Sequence, residues 1–249
     1  MHASTELLSL FQLQLNYEFF SPAARPRVAI VSTGDEVVDP SASVRPGQVR
    51  DATASGIAAL VVEAGGVPLI RGIFPDDAAE LESALLGAMA EADLVVVSAG
   101  SSVGLRDLTA GVIGRLGAPG IWCHGIAVKP GKPTLLAECD GVPIVGLPGN
   151  PTSALVVFRL IGMELVRLAA GASAAPLVAT VRARLAVDLP SAAGRLDVVQ
   201  VTLAHGVATP VFGRSAILSP LAAADGYLVI GEDATGLYEG SEVEVIPYR

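Results

Sequence analysis

The sequence predicts two domains, a larger α/β domain built on a parallel sheet and a smaller domain made mostly of β-strands. From residue 27 to about 172, apolar runs of strand length alternate with Ala-rich helical segments. This pattern favours a three-layer fold with helices on both faces of a parallel sheet. After residue 172, short strand-like runs follow one another between turn residues. The chain is 51% hydrophobic but only 4% aromatic and has 27 glycines, which suits short strands and small-residue helices.

The predicted strands of the first domain are apolar runs bounded by turn residues. They are RVAIVST (27–33), VPLIRGIF (67–74), LVVVSAG (94–100), IWCHGIAV (121–128), TLLAEC (134–139) and PIVGLP (143–148). The predicted helices carry capping residues at their starts. They are 51–66, which begins at Asp51 or Thr53, 75–93, which begins at Asp76 or Asp77, 107–117, which begins at Asp107, and about 151–170.

The second domain is predicted from four strand-like runs, LVATVRARLAVDL (177–189), LDVVQVTLA (196–204), YLVIGED (227–233) and SEVEVIPY (241–248). We therefore divide the chain into an N-terminal segment of unclear role (1–26), an α/β domain (27–172) and a C-terminal β domain (173–249). Residues 1–26 fit neither domain pattern.

Charge and cysteine content exclude several classes of protein. The formal net charge of −9 argues against a general nucleic-acid or acidic-membrane surface, so any bound anion needs a local basic pocket. The two cysteines have neither disulfide-framework nor metal-knuckle spacing, and the N-terminus lacks a signal-peptide pattern. The uncharged stretch 141–158 contains three prolines, which excludes a spanning helix. These features predict a cytoplasmic protein.

Three loops follow predicted strands at the carboxyl edge of the sheet, where α/β proteins bind ligands: STGDE (32–36), SAGSSVG (98–104) and LPGNPTS (147–153). The second loop combines serines and glycines, which suit phosphate oxygens, but a simple small-residue turn explains it equally well. It has neither dinucleotide-fingerprint nor P-loop spacing.

Acidic residues at the same edge have two interpretations. Asp107, the pair Asp35–Glu36 and the pair Asp76–Asp77 are first of all helix caps or turn residues, and second candidate ligands for a divalent metal. Their common position after predicted strands favours the second interpretation more than usual.

Lys129 and Lys132 are the strongest local signal. The sequence KPGKP places them around Pro130, Gly131 and Pro133, which restrict the backbone. Two ammonium groups held in one rigid loop repel each other unless an anion lies between them. The loop therefore predicts an anion site.

Together the loops resemble the molybdopterin molybdenumtransferases, which include MoeA-type enzymes and the E domain of gephyrin. The shared motifs, in order, are VSTGDEVV, PGQVRD, PDD, SAGSSVG with Asp107, KPGKP and GLPGNPTSA. Later segments, GRLDVVQV, FGRSAILSPLAAADGYLVI and GLYEGSEVEV, resemble the C-terminal β domain of that family. The resemblance covers residues 27 to about 247. It implies insertion of molybdate into adenylylated molybdopterin, assisted by Mg²⁺ or another divalent metal, with release of AMP.

The resemblance also implies roles for individual residues. The molybdate ligands would be Lys129, Lys132, Ser153, Arg195 and Ser215. The catalytic and metal-binding carboxylates would be Glu36, Asp76 and Asp107. The pterin and nucleotide face would be formed by Thr33, Gly34, Asp35, Ser98, Gly100, Ser101, Ser102, Gly104, Pro148 and Asn150.

The match begins almost at the chain start, so we expect the two usual N-terminal domains of the family to be missing or supplied by another chain. The family resemblance also implies a homodimer. Two alternatives remain open from the sequence: an enzyme that adenylylates molybdopterin, which shares the α/β domain, and a pterin-binding or scaffolding module without catalysis. The β domain and KPGKP argue against the first alternative, because single-domain adenylylating enzymes lack both.

Overall fold

The structure is a computed structural model that describes residues 25–98, 103–172 and 178–248, with only the backbone described for 103–106. It divides the chain into two units. The α/β unit contains the described residues 25–126 and 131–172, and the β unit contains 127–130 and 178–248. The short excursion Ala127–Pro130 into the β unit has no counterpart in the sequence prediction.

The α/β unit is built on a central sheet whose core strands are parallel. The strands of the α/β unit are β1 (Arg27–Thr33), β2 (Val37–Val38), β3 (Val49–Arg50), β4 (Val67–Phe74), β5 (Leu94–Ser98), β6 (Pro119–His124), β8 (Leu135–Cys139) and β9 (Val142–Leu147), of which β2 and β3 pair only with each other. The order in the central sheet is β4–β1–β5–β9–β8–β6. Strands β4, β1, β5 and β9 pair in parallel, which confirms the predicted α/β fold class.

Strands β8 and β9 form a hairpin, so part of the sheet is antiparallel. The hairpin turn is Asp140–Gly141, with φ of 49° and 85°, the left-handed pair that a tight two-residue turn requires. Cys139, the last residue of β8, is fully buried. Burial, together with the negative charges of Asp140 and Glu138, raises the pKa of its thiol from 9.0 to about 11.

Helices cover both faces of this sheet. They are α1 (Thr53–Glu63), α2 (Ala78–Met89), α3 (Val103–Ile113), α4 (Pro151–Val157) and α5 (Met163–Ala169), and a π-helical turn (Phe158–Gly162) joins the last two. Helices α2 and α3 bury Leu81, Leu85 and Ile113 against Val31 and Val97 of the sheet. On the other face, α1 packs on β1 and β4 and α4 packs on β9. Because β1 and β5 are covered on both sides, β5 is buried along its whole length and β1 is buried at every position after Arg27.

Two helix starts follow the predicted capping residues and one does not. The Asp51 carboxylate accepts a hydrogen bond from the backbone N–H of Ala54 at 3.0 Å, and Asp77 accepts from Ala79 and Glu80. Helix α3, however, begins at Val103, four residues before Asp107. The prediction that Asp107 caps this helix is therefore wrong, because Asp107 lies in its second turn with an exposed side chain.

The β unit contains a ring of paired strands. The strands of the β unit are β7 (Val128–Lys129), β10 (Val181–Leu185), β11 (Leu189–Pro190), β12 (Leu196–Ala204), β13 (Val207–Pro210), β14 (Gly226–Ile230), β15 (Gly236–Leu237) and β16 (Glu242–Pro247), of which β11 and β15 pair only with each other. The order β13–β10–β16–β14–β12 closes because β13 also pairs with β12, and β7 adds to β12 in parallel. Five residues (Ser219–Ala223) form helix α6. The predicted β-rich C-terminal domain is thus confirmed.

Within this unit, alternate strand residues such as Leu185, Val201, Leu228 and Val245 form the apolar core. None of the helices in the described ranges of the chain is both long and apolar enough to cross a lipid bilayer.

Candidate functional site

Two loops meet at the carboxyl ends of β1 and β4. The hydroxyl of Thr33 donates to Asp76 Oδ1 at 3.0 Å, and the backbone N–H of Asp35 donates to Asp76 Oδ2 at 3.2 Å. In return, the backbone N–H of Asp76 donates to Asp35 Oδ1 at 3.2 Å. The parallel pairing of Thr33 with Phe74 brings these loops side by side. Thr33 and Asp35, predicted for the pterin and nucleotide face, are therefore in direct contact with Asp76, a predicted catalytic carboxylate.

Gly34 is required by this arrangement. Its φ is 148°, and its N–H donates to the carbonyl of Phe74 at 3.1 Å. A Cβ atom there would lie 2.8 Å from Val37 Cγ2 and 3.0 Å from Glu36 Oε2. A side chain would therefore displace the half-buried Glu36, one of the predicted carboxylates.

A second hydrogen-bonded carboxylate, that of Asp51, contacts the buried end of β1. Ser32 donates to Asp51 Oδ2 at 2.5 Å, and both residues are buried. Since Asp51 also caps α1, this one carboxylate fixes the helix to the strand whose carboxyl end carries Thr33. Asp51 lies in the PGQVRD motif, to which the sequence prediction gave only a capping role.

The predicted carboxylates do not form a metal site by themselves. Among the described residues, no three His, Cys, Asp or Glu side chains are grouped so that they could hold a metal ion. Magnesium in nucleotide sites commonly uses one or two carboxylates and completes its shell with substrate phosphates and water. Each oxygen of Asp76 accepts one hydrogen bond here and keeps a further lone pair, so this carboxylate fits such a shared site.

The glycine- and serine-rich loop lies mostly outside the described residues. Ser98 is buried at the end of β5, beside Ser32 of β1 and Leu147 of β9. Gly100, Ser101 and Ser102 lie outside the described ranges, and Gly104 is in the first turn of α3.

The third loop leads into α4. Pro148 is buried, and Asn150 is the N-cap residue, whose carbonyl accepts from the N–H of Ala154 at 3.0 Å. Pro151 occupies the first helical turn, where a missing N–H is tolerated. Ser153 is buried in the same turn.

Hydrogen bonds hold the Gly131–Thr134 part of the lysine loop, and its two lysines belong to different units. The N–H and hydroxyl of Thr134 both donate to the carbonyl of Gly131, at 3.1 and 2.7 Å, and Gly131 has φ of 133°, which favours glycine. The N–H of Ile126 donates to the carbonyl of Lys132 at 2.9 Å. Lys132 belongs to the α/β unit, whereas Lys129 lies on β7 in the β unit.

In the β unit, two of the predicted molybdate ligands share one buried carboxylate. Arg195 Nε and Nη2 donate to Asp197 Oδ1 and Oδ2 at 2.7 and 3.3 Å. Lys129 Nζ lies 3.5 Å from Asp197 Oδ2. The Asp197 side chain is only 5% exposed, whereas those of Lys129 and Arg195 are 59% and 37% exposed.

Sequence reasoning missed Asp197, although it stands in the quoted motif GRLDVVQV. The available signal was its spacing: Arg195 and Asp197 are two residues apart at the start of a strand and so point to the same face. Ser215, the third predicted molybdate ligand of this unit, is half-buried in the segment between β13 and α6. The turn there is closed by a hydrogen bond from the N–H of Ile217 to the carbonyl of Arg214 at 3.0 Å.

Comparison with known proteins gives two family matches. Residues 29–168 match the family described as "Probable molybdopterin binding domain", and residues 182–248 match "MoeA C-terminal region (domain IV)". The fold, the ligand-face loops and these matches define a two-unit protein of the molybdopterin-binding class. The chain belongs to the molybdopterin-binding domain family and carries its MoeA-type C-terminal region.

Several relatives are similar over most of this chain. It is 35% identical over 171 residues to the molybdopterin molybdenumtransferase of Haemophilus influenzae, covering 69% of this chain and 42% of the relative. It is 32% identical over 228 residues to molybdopterin molybdenumtransferase 2 of Mycobacterium tuberculosis, covering 89% and 56%. The solved molybdopterin biosynthesis MoeA protein of Pyrococcus horikosii is similar with a TM-score of 0.79 and 36% identity, covering 90% of this chain and 55% of that one. The chain therefore spans about half the length of these relatives.

Proposed function

We propose that this protein inserts molybdate into adenylylated molybdopterin and releases AMP. The observation that carries the proposal is the pair of partly exposed cations, Lys129 and Arg195, in the unit that matches the MoeA C-terminal region. Molybdate is a tetrahedral dianion, and charge-assisted N–H donors are the groups that bind such an oxyanion most strongly. The curated relatives named molybdopterin molybdenumtransferase support the reaction.

The proposal assigns five ligands to molybdate, in two sets. The β unit contributes Lys129, Arg195 and Ser215, and the α/β unit contributes Lys132 and Ser153. The cations neutralise the dianion, and the hydroxyls donate hydrogen bonds to oxygens that the cations leave unpaired.

The pterin and nucleotide are proposed to bind at the carboxyl edge of the central sheet. Thr33, Gly34, Asp35, Ser98 and Asn150 lie at or just after the strand ends β1, β5 and β9, where α/β folds bind ligands. The loop residues Gly100, Ser101, Ser102 and Gly104, together with Pro148, complete this proposed face.

A divalent metal, with Mg²⁺ the expected ion, belongs to the same proposal. Glu36, Asp76 and Asp107 would hold it together with phosphate oxygens of the nucleotide. Its chemistry is to neutralise the charge that develops on the phosphate as AMP leaves. The carboxylate of Asp76 is oriented for this role by Thr33 and by the N–H of Asp35.

The decisive experiment measures AMP. Adenylylated molybdopterin is incubated with the protein, Mg²⁺ and molybdate, and AMP is quantified by chromatography with and without molybdate. Molybdate-dependent release of AMP supports the proposal. Consumption of ATP with molybdopterin instead supports an adenylylating enzyme, and ligand binding without turnover supports a pterin-binding module. A Lys132→Ala variant serves as the comparison, because it removes one proposed molybdate ligand.

The remaining expectations are part of the same proposal. The protein would act in the cytoplasm as a homodimer. Sedimentation velocity measures the assembly state, and a strictly monomeric protein at micromolar concentration would contradict the dimer.

A further inference from the structure

Burial of the Asp197 carboxylate is unfavourable in free energy. Removal of a carboxylate from water costs several kcal/mol in desolvation free energy, and pairing with cations offsets this only when the geometry of the pair is good. A well-packed apolar residue at such a position is commonly as stabilising as the ion pair, or more so. Stability alone therefore does not account for the carboxylate, and its two partners suggest what it does.

The sheet places the three charged groups on one face. Asp197 on β12 is the Cα partner of Lys129 on β7 in a parallel pairing, so the two side chains lie next to each other. Arg195 is two residues before Asp197 and points to the same side. The backbone itself is locked here, since the N–H of Leu196 donates to the carbonyl of Ala127 at 2.8 Å. The contact thus follows from strand register, not from long flexible side chains meeting in solvent.

Asp197 uses only part of the donor capacity of its partners. A guanidinium has five N–H groups, of which Asp197 accepts two, and an ammonium has three, of which one points to Asp197. Three guanidinium and two ammonium N–H groups are left for other acceptors. The side chains of Arg195 and Lys129 are 37% and 59% exposed, so a solute can reach them, whereas that of Asp197 is 5% exposed.

We infer that Asp197 is a positioning residue of the oxyanion site: its buried carboxylate fixes Arg195 and Lys129 so that their remaining N–H groups meet the anion. This inference rests on the proposed function. It adds a residue with a negative charge to a site that binds a dianion, which is the opposite of what charge alone would select.

Whether removal of the Asp197 charge raises or lowers the affinity for molybdate distinguishes the two roles. The three groups together carry a net charge of +1. If Asp197 acted only as a competing negative charge, Asp197→Asn would bind molybdate more tightly, because the site would then carry +2. If Asp197 positions the cations, the same variant binds molybdate more weakly despite the gained charge. We expect about a tenfold loss, since removal of a group that orients a liganding side chain in metal sites commonly costs about 10- to 100-fold.

Asp225 provides a matched control. Its carboxylate accepts from the N–H of Leu203 at 2.7 Å in the same unit, so Asp225→Asn removes the same charge. Asp197 pairs with Ile230 on β14, whereas Gly226, next to Asp225, pairs with Val201. Asp225 is therefore five residues along the chain from the partner of Asp197, a separation of about 17 Å in an extended strand. Asp225→Asn should therefore change molybdate affinity by less than about twofold.

The experiment titrates molybdate into the wild-type protein and each variant by calorimetry at constant ionic strength. Asp197→Glu is added as a second variant, because it keeps the charge but moves the carboxylate by one methylene group. Positioning predicts weaker binding for both Asp197 variants, whereas a pure charge effect predicts that Asp197→Glu binds like the wild type. In a protein that already carries Lys129→Ala and Arg195→Ala, Asp197→Asn should have no further effect on binding.

The possible results separate the inference from the proposed function. Wild-type binding with equal or tighter binding by Asp197→Asn overturns the inference and leaves the proposed function standing. An absence of molybdate binding by the wild type overturns both. Should Asp197→Asn fail to fold, as seen by circular dichroism, Asp197→Glu decides: affinity equal to that of the wild type overturns the inference. Weaker binding by Asp197→Glu, with unchanged binding by Asp225→Asn, supports it.

Discussion

Removal of Arg195 should destabilise the β unit, even though Arg195 is proposed as a ligand-binding residue. In Arg195→Ala, Asp197 loses both of its short contacts, at 2.7 and 3.3 Å, while its side chain stays 5% exposed. Breaking a buried ion pair from one side commonly costs about 3–5 kcal/mol. Here Lys129 remains 3.5 Å away and the Arg195 position is open to water, so we expect about 2 kcal/mol.

Two further variants should rank the contributions of these contacts to stability. Lys129→Ala removes a long contact from a side chain that is 59% exposed, and such pairs are worth at most about 1 kcal/mol. Arg195→Ala combined with Asp197→Asn removes the uncompensated charge and should restore most of the lost stability. Comparison of this double variant with Asp197→Asn alone measures the role of Arg195 in molybdate binding, because the buried carboxylate is absent from both proteins.

The measurement is urea unfolding combined with amide hydrogen exchange of β12. A loss of 2 kcal/mol moves the urea midpoint by roughly 1 M, and faster exchange at residues 196–204 would assign the loss to the β unit. The single tryptophan, Trp122, lies in the α/β unit and supplies an internal control, since its fluorescence transition should stay in place. Unchanged unfolding of Arg195→Ala, or a double variant less stable than the single one, would refute the reasoning.

Three further predictions concern the α/β unit. Asp107→Asn should abolish release of AMP but change stability by less than about 0.5 kcal/mol, because the side chain is exposed on a helix; a large fall in melting temperature would instead assign it a structural role. Asp51→Ala should cost about 2–3 kcal/mol in chemical denaturation, since it removes a helix cap and leaves the buried Ser32 hydroxyl without this acceptor, and a cost below 1 kcal/mol would contradict this. The free energy of unfolding should fall as the pH rises from 9.0 towards about 11, because the thiol of Cys139 ionises near 9.0 when unfolded and near 11 when folded. Cys139→Ala should lose that part of the pH dependence, and identical pH profiles would count against it.

Continuous apolar runs made the central strands predictable. The sequence prediction for 27–33 and 67–74 agrees with β1 and β4 residue by residue. β1 is predictable because it is buried at every position after Arg27, and strands buried on both faces are mostly apolar. β4 is only partly buried, so its prediction rests on the length of its apolar run and on the turn residues that bound it. The start of α3 was not predictable in the same way. Serine and glycine suit both a ligand loop and a helix start, so the segment before Asp107 defines no boundary, and Asp107 is the capping residue that the sequence predicts.

The two-residue strand β7 lies beyond any local pattern. Val128 and Lys129 form a strand only because β12, almost seventy residues later, supplies a partner in parallel register. Hydrophobic periodicity needs longer segments than this, and nonlocal pairing leaves no trace in local spacing. For the same reason the sequence grouped Lys129 with Lys132 in one loop and did not associate it with Asp197.

The contact between Lys129 and Asp197 changes the interpretation of the lysine loop. Two like charges in a rigid turn suggested an anion as the group that relieves their repulsion. The structure provides a resident partner for one of them, because Asp197 already neutralises part of the charge of Lys129 and Arg195. Repulsion between the lysines is therefore not sufficient reason to expect an anion. The stronger reason is the set of N–H groups that Asp197 leaves available on two cations whose positions it fixes, because donors that are already oriented lose less entropy when they bind an oxyanion.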